Sequence, residues 1–139
     1  MAEDVAGYLL DTNAWFWLVT GDTRMPPPLV ATIEAAAADG RLCVSQISAW
    51  EIALKESLGK LRLNVPIARW LDENTQGVRL LDLPLEVMVD ASHLPGAFHK
   101  DPADRFIVAS ARHHHLTLIT GDELILTYAR GGHVAVLAV

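Results

Sequence analysis

Gly7-Tyr8-Leu9-Leu10-Asp11-Thr12-Asn13 sets two opposite preferences side by side. The apolar run reads as a buried strand, and Asp11-Thr12-Asn13 is a cluster of helix-capping residues. A strand that ends on an acid and passes straight into a helix belongs to chains that alternate the two elements. Carboxylates are poorly tolerated beside a buried strand unless something neutralises them. Asp11 therefore has two readings, a helix N-cap or a functional acid at a sheet edge.

The same kind of junction recurs downstream. Leu42-Cys43-Val44-Ser45 reads as a second buried strand, and Ser48 with Glu51 three residues on matches a capping box opening the next helix. That helix is expected to run to about residue 58 and to stop at Gly59. Further strands are expected over 78–81, 117–120 and 134–139. Helices are expected over 14–19, 29–38, 67–76, 85–92, 103–114 and 123–128, with Pro28, Pro66 and Pro102 at three of their starts. No repeat or linker divides the sequence. Such alternation predicts a parallel sheet covered on both sides, in which ligands gather beyond the carboxyl ends of the strands. Asp11 and Asp122, which follows Thr117-Leu118-Ile119-Thr120-Gly121, both fall at such ends.

Composition sets outer bounds. With 139 residues, 51% of them hydrophobic, the chain suits one domain with an ordinary core. A lone Cys43 excludes an internal disulfide and fits a reducing compartment. No apolar run approaches the ~20 residues that span a bilayer. Met1-Ala2-Glu3-Asp4 lacks the pattern of a secretory leader, so the cytoplasm is the expected location. The net charge of −6 does not advertise nucleic-acid binding, although Lys55, Lys60, Arg62 and Arg69 make a local basic stretch.

Two further acids compete with local explanations. Glu51 serves equally as the capping-box partner of Ser48 or as a helical pair with Lys55, worth about 0.2–0.5 kcal/mol. Neighbouring Trp50, Ile52 and Ala53 suggest a largely buried helix. Asp101 precedes Pro102 and is suited to cap the helix, whereas Asp104 lies inside its first turn and is assigned to a pocket. Asp122 reads either as a turn residue or as a ligand. Two carboxylates about 4 Å apart repel by roughly 4 kcal/mol at an effective dielectric near 20. If folding gathers Asp11, Glu51, Asp104 and Asp122, a hard divalent cation is the natural remedy and phosphate chemistry the natural use.

In their joint order these blocks resemble the PIN domain, specifically the toxin nucleases of the VapC type. Leu9-Leu10-Asp11-Thr12-Asn13 looks like the opening strand and first acid. Ser48-Ala49-Trp50-Glu51-Ile52-Ala53-Leu54-Lys55, followed by Leu58-Gly59-Lys60-Leu61, is similar to the second-acid helix. His99-Lys100-Asp101-Pro102-Ala103-Asp104-Arg105-Phe106-Ile107-Val108-Ala109-Ser110-Ala111 matches the third block, and Leu118-Ile119-Thr120-Gly121-Asp122 corresponds to the fourth. The family varies in which acid of that last block, if any, contacts metal.

The resemblance implies a PIN-like three-layer α/β/α sandwich over 1–139 with a five-stranded parallel sheet in order 3-2-1-4-5. It implies an endoribonuclease dependent on Mg2+ or Mn2+, the toxin of a toxin-antitoxin pair. Such a toxin forms a homodimer and is held inactive by a cognate VapB-type antitoxin. Asp11, Glu51, Asp104 and Asp122 become the catalytic acids and metal ligands, with Asp11 and Asp104 holding the principal ion. Thr12 or Ser48 would either orient an acid or the phosphate or serve as a cap, and Lys55, Lys60 and Arg105 would either meet the RNA backbone or take solvated structural roles. The competing account is a catalytically silent PIN-like protein acting through dimer or antitoxin binding.

Two other readings fare worse. A haloacid-dehalogenase phosphatase needs a second Asp where this chain has Asn13. His113-His114-His115 project in different directions on a helix, so a helix end that favours positive charge explains them better than chelation. Trp15, Trp17 and Trp50 sit in apolar surroundings and are expected mostly in the core, or else at an interface centre.

Overall fold

The computed structural model describes residues 7–139, so the reading of Met1-Ala2-Glu3-Asp4 lies outside the described residues. The strands are β1 (Tyr8–Leu10), β2 (Leu42–Ser45), β3 (Arg79–Leu81), β4 (Thr117–Thr120) and β5 (Val136–Ala138). All pair in parallel, in the order β3-β2-β1-β4-β5, which is the topology expected from the resemblance. The helices are α1 (Thr12–Thr20), α2 (Pro27–Ala38), α3 (Gln46–Ser57), α4 (Ile67–Asn74), α5 (Leu85–Ser92), α6 (Pro102–His114) and α7 (Glu123–Ala129).

The central strand shows why the sheet needs two helical layers. Successive strand side chains point to opposite faces. Leu9, in register with Cys43 and Leu118, packs with Val87, Ile107, Val108 and Ile125. Leu10, in register with Val44 and Ile119, packs with Trp15, Ile33, Ile52 and Trp70 on the other face. Both leucines are fully buried, so neither face of β1 tolerates a polar residue until Asp11 ends the strand. No helix among the described residues is long and apolar enough to cross a membrane.

Several local expectations are corrected. The cap of α3 is Ser45, whose hydroxyl accepts from the Ile47 amide at 3.1 Å. The chain leaves β2 directly into the helix, which puts Ser48 inside the first turn and leaves no capping box with Glu51. Trp50 is 55% exposed, so α3 is less buried than its apolar neighbours suggested. Trp15 and Trp70 are the buried tryptophans, in an edge-on pair at 5.2 Å. Helix α4 stops at Asn74, short of Gly77, and β5 is confined to Val136–Ala138.

Gly7 feeds β1 under a steric constraint. A Cβ there would lie 2.6 Å from the Arg41 carbonyl oxygen and 3.1 Å from Leu116 Cδ2. That carbonyl already accepts from the Tyr8 amide at 2.8 Å, so it cannot withdraw without loosening the β1–β2 entry. Gly7→Ala is expected to cost about 1–3 kcal/mol in urea unfolding, the usual cost of overpacking. Unchanged stability would show that the strand entry yields freely.

Candidate active site

Each predicted acid is positioned by a separate element. Asp11 follows β1 and caps α1, Asp122 follows β4 and caps α7, Glu51 projects from α3, and Asp104 sits in the first turn of α6. Asp11 is 5% exposed; its Oδ1 accepts from the Ala14 amide at 2.8 Å and its Oδ2 from the Thr120 hydroxyl at 2.5 Å. The capping reading of Asp11 and of Asp122 is thus met in the structure, and the charge of Asp122 also reaches Asp11.

The acids feel one another. Burial is the chief cause that pushes the Asp104 carboxyl up to about 7, followed by the charges of Asp101, Asp122, Glu51 and Asp11. Asp11 is also raised, first by burial; hydrogen bonds from Thr120 and Ala14 pull the other way, and Asp122 and Glu51 add to the rise. The folded chain therefore brings all four sequence-predicted acids within electrostatic reach at the carboxyl end of the sheet. Asp101 plays the capping part expected of it, its Oδ1 accepting from the Asp104 amide at 3.2 Å.

Three hydroxyls organise this cluster. The Thr12 hydroxyl donates to Glu51 Oε1 and lies 2.9 Å from the Ser48 hydroxyl, which is fully buried. Since Thr12 has a single hydroxyl proton, Ser48 donates to Thr12 while Thr12 donates to Glu51. Thr120, also fully buried, donates to Asp11 and accepts from the Asp122 amide at 3.0 Å. The sequence presents Thr120 only as a strand end. Its signal was there, a hydroxyl two residues before an acid at a strand's carboxyl end. Thr120→Val is expected to lose about 1.5–3 kcal/mol in chemical denaturation, since it strips a bond to a charged group and orphans an amide. Wild-type stability in that variant would mean the bond contributes nothing.

His99 belongs to the third block, where sequence alone gives it no part. Its Nε2 lies 3.2 Å from Asp104 Oδ2, and His99, Asp104 and Asp122 offer ligand atoms within 4.8 Å of one another. Arg105 does not fit the RNA-facing part expected of it. Its Nε donates to the Ala91 carbonyl at 2.8 Å, and its Nη1 to the carbonyls of Phe98 at 3.2 Å and His99 at 3.1 Å. It clamps the segment before α6. Lys60 is exposed and Lys55 half-buried. His113 and His114 close α6, and His115 follows in the left-handed region at φ 55°. His114 is pushed below the ordinary histidine value by burial and then by His113, which opposes the charged helix-end role.

This donor set fits a hard divalent cation. The carboxylate oxygens of Asp104 and Asp122 are the type that Mg2+ and Mn2+ prefer, and the His99 imidazole beside them is a donor of the type that zinc favours.

Known proteins resemble this chain in sequence and in fold. Ribonuclease VapC22 from Mycobacterium tuberculosis is 31% identical over 120 residues, spanning 86% of this chain and 90% of that protein. The crystal structure of VapBC2 from Rickettsia felis bound to a DNA fragment from their promoter superposes with a TM-score of 0.70 at 18% identity, covering 95% of this chain and 98% of that one. FitAcB from Neisseria gonorrhoeae superposes at 0.63 with 24% identity, covering 94% and 96%. At these identities the structural likeness is one of fold. Residues 8–131 match the family model described as the PIN domain, and the chain belongs to that family.

Proposed function

We propose that this chain, as a single PIN-like domain over 1–139, is a divalent-cation-dependent endoribonuclease that hydrolyses RNA phosphodiester bonds. The observation that carries the reading is the mutual electrostatic reach of Asp11, Glu51, Asp104 and Asp122 at the strand ends. The 31% identity to Ribonuclease VapC22 supports the choice of RNA.

Asp11 and Asp104 would hold the principal ion, and Asp122 would complete its surroundings. Mg2+ or Mn2+, when bound, supplies charge to neutralise the phosphoryl oxygens and lowers the pKa of water. Glu51 has Oε1 held by Thr12 and presents Oε2 to take a proton from the attacking water. The water oxygen forms a bond to phosphorus as its proton passes to Glu51, a bridging P–O bond breaks, and the leaving oxygen takes a proton from solvent water.

The proposal includes a role as the toxin of a toxin-antitoxin pair in the cytoplasm, as a homodimer restrained by a VapB-type antitoxin. Exposed apolar side chains suit such partners: Trp50, Leu54 and Leu58 along α3 and its end, and Leu85, Met88 and Val89 on α5. A mixed RNA panel incubated with Mg2+ or Mn2+ tests the chemistry, with a chelator and Asp104→Asn as controls. Cleavage that persists in both controls would overturn it. Co-purification with a small product of a neighbouring gene tests the toxin role.

A further inference from the structure

Resting on the divalent-cation reading above, we propose that His99 is a positioning residue that donates from Nε2 to Asp104 and aims that carboxylate, without itself ligating the cation. The ring's hydrogen bonds carry the distinction. The Asp101 backbone amide donates to His99 Nδ1 at 3.3 Å. A ring nitrogen that accepts carries no proton, so the imidazole proton resides on Nε2. That atom is shielded from solvent, lies 3.2 Å from Asp104 Oδ2, and has no aligned hydrogen-bond partner. The close approach thus lacks the alignment of a hydrogen bond, which movement of Asp104 toward a cation would supply.

Proximity alone would also permit chelation, because His99, Asp104 and Asp122 present ligand atoms within 4.8 Å. Ligation through Nε2, however, requires the ring proton on Nδ1. There it would confront the Asp101 amide, donor against donor. The backbone that carries the ring is held on one side and the ring is packed on the other. Arg105 holds the Phe98 and His99 carbonyls, and the His99 ring packs on Phe98 at 4.3 Å. Phe98 in turn packs on Tyr128 at 4.7 Å, whose hydroxyl donates to the Pro95 carbonyl at 2.5 Å. Both ends of the segment leading into α6 are pinned, and the imidazole is fixed as a donor beside the Asp104 carboxylate.

Calorimetric titration of the whole chain with MgCl2 and, separately, MnCl2 tests this on wild type, His99→Ala and His99→Gln. The alanine variant is expected to bind both cations more weakly by the same factor, about 10–100-fold, as loss of an outer hydrogen-bond partner does elsewhere. Glutamine keeps a side-chain N–H and is expected to recover most of the loss. Nitrogen NMR of the wild-type ring should find the Nε2–H tautomer with and without Mg2+. A loss confined to Mn2+, or a proton on Nδ1 in the Mg2+ complex, would make His99 a ligand and overturn the proposal. Unchanged affinities in His99→Ala, or no cation binding by wild type, would overturn it as well. If the alanine variant does not fold, the glutamine variant and the wild-type tautomer decide. A wild type that binds cations with these His99 effects yet cleaves no RNA would leave the positioning role standing and remove the ribonuclease reading.

Discussion

Asp104→Asn is expected to abolish RNA cleavage while making the cation-free protein more stable near neutral pH. The two effects share one cause. The Asp104 carboxyl titrates at about 7 in the folded chain against an ordinary value of 3.8, with burial the largest influence. Its pKa is raised, so the folded state binds this proton more tightly than the unfolded state does. The resulting stabilisation is fully present below the unfolded value and is lost as pH rises through about 7. Asparagine resembles the protonated acid and removes that loss. It also forfeits the favourable charge in the first turn of α6, worth about 0.3–1 kcal/mol. A tenfold change in proton affinity corresponds to about 1.4 kcal/mol, so a fraction of the displacement already outweighs the dipole contribution. Thermal unfolding in chelator should show wild type weakening from pH 5 to 8 and the variant changing less, with the variant ahead at pH 8. Cleavage should fall by more than ~100-fold, beyond the loss of an outer hydrogen-bond partner. A variant that is less stable than wild type at pH 8 would mean that Asp104 is a structural anchor, and wild-type cleavage would remove it from the chemistry.

Adding Mg2+ at 100 times its dissociation constant is expected to stabilise the wild type by about 2.7 kcal/mol. For a domain of this size that corresponds to a melting-temperature rise of about 5–10 °C. Asp11→Asn and Asp104→Asn should lose most of the rise, whereas their own folding stays intact because asparagine is itself a good cap at position 11. The effect should also depend on pH. A cation that needs Asp104 ionised must displace its proton, so below about 7 its apparent affinity should decline by roughly tenfold per pH unit. Differential scanning fluorimetry at pH 6 and 8 with Mg2+ or Mn2+ reads this directly. Absence of any cation-dependent shift would favour the silent binding protein.

The topology was legible because its signals are local and repeated. Leu9-Leu10 before Asp11, Leu42 to Ser45, and Thr117 to Thr120 before Asp122 are short apolar runs ended by polar residues. Their alternation with helices permits few arrangements. Asp11 and Asp122 were legible because charge at a buried strand end requires an explanation, whereas Glu51 and Asp104, which lie on helices, stood out through the blocks that resemble the family. What the sequence left open depended on competition between neighbours of similar chemistry. Ser45 and Ser48 are both good caps, and the absence of a loop after β2 gives the role to Ser45. Trp50 and Ile52 are both apolar, yet only Ile52 faces the sheet while Trp50 faces outward. Arg105 was adjacent to the site in sequence, but its guanidinium turns back to three carbonyls. His99 and Thr120 became visible only through partners that lie on other elements or across a turn.

Asp11, Asp101 and Asp122 each accept amide hydrogen bonds at a helix start. Their negative charge is thus partly discharged by the backbone before any ion arrives. Backbone amides thus hold these three carboxylates in place without help from a cation, so the arrangement of the acids is part of the fold itself.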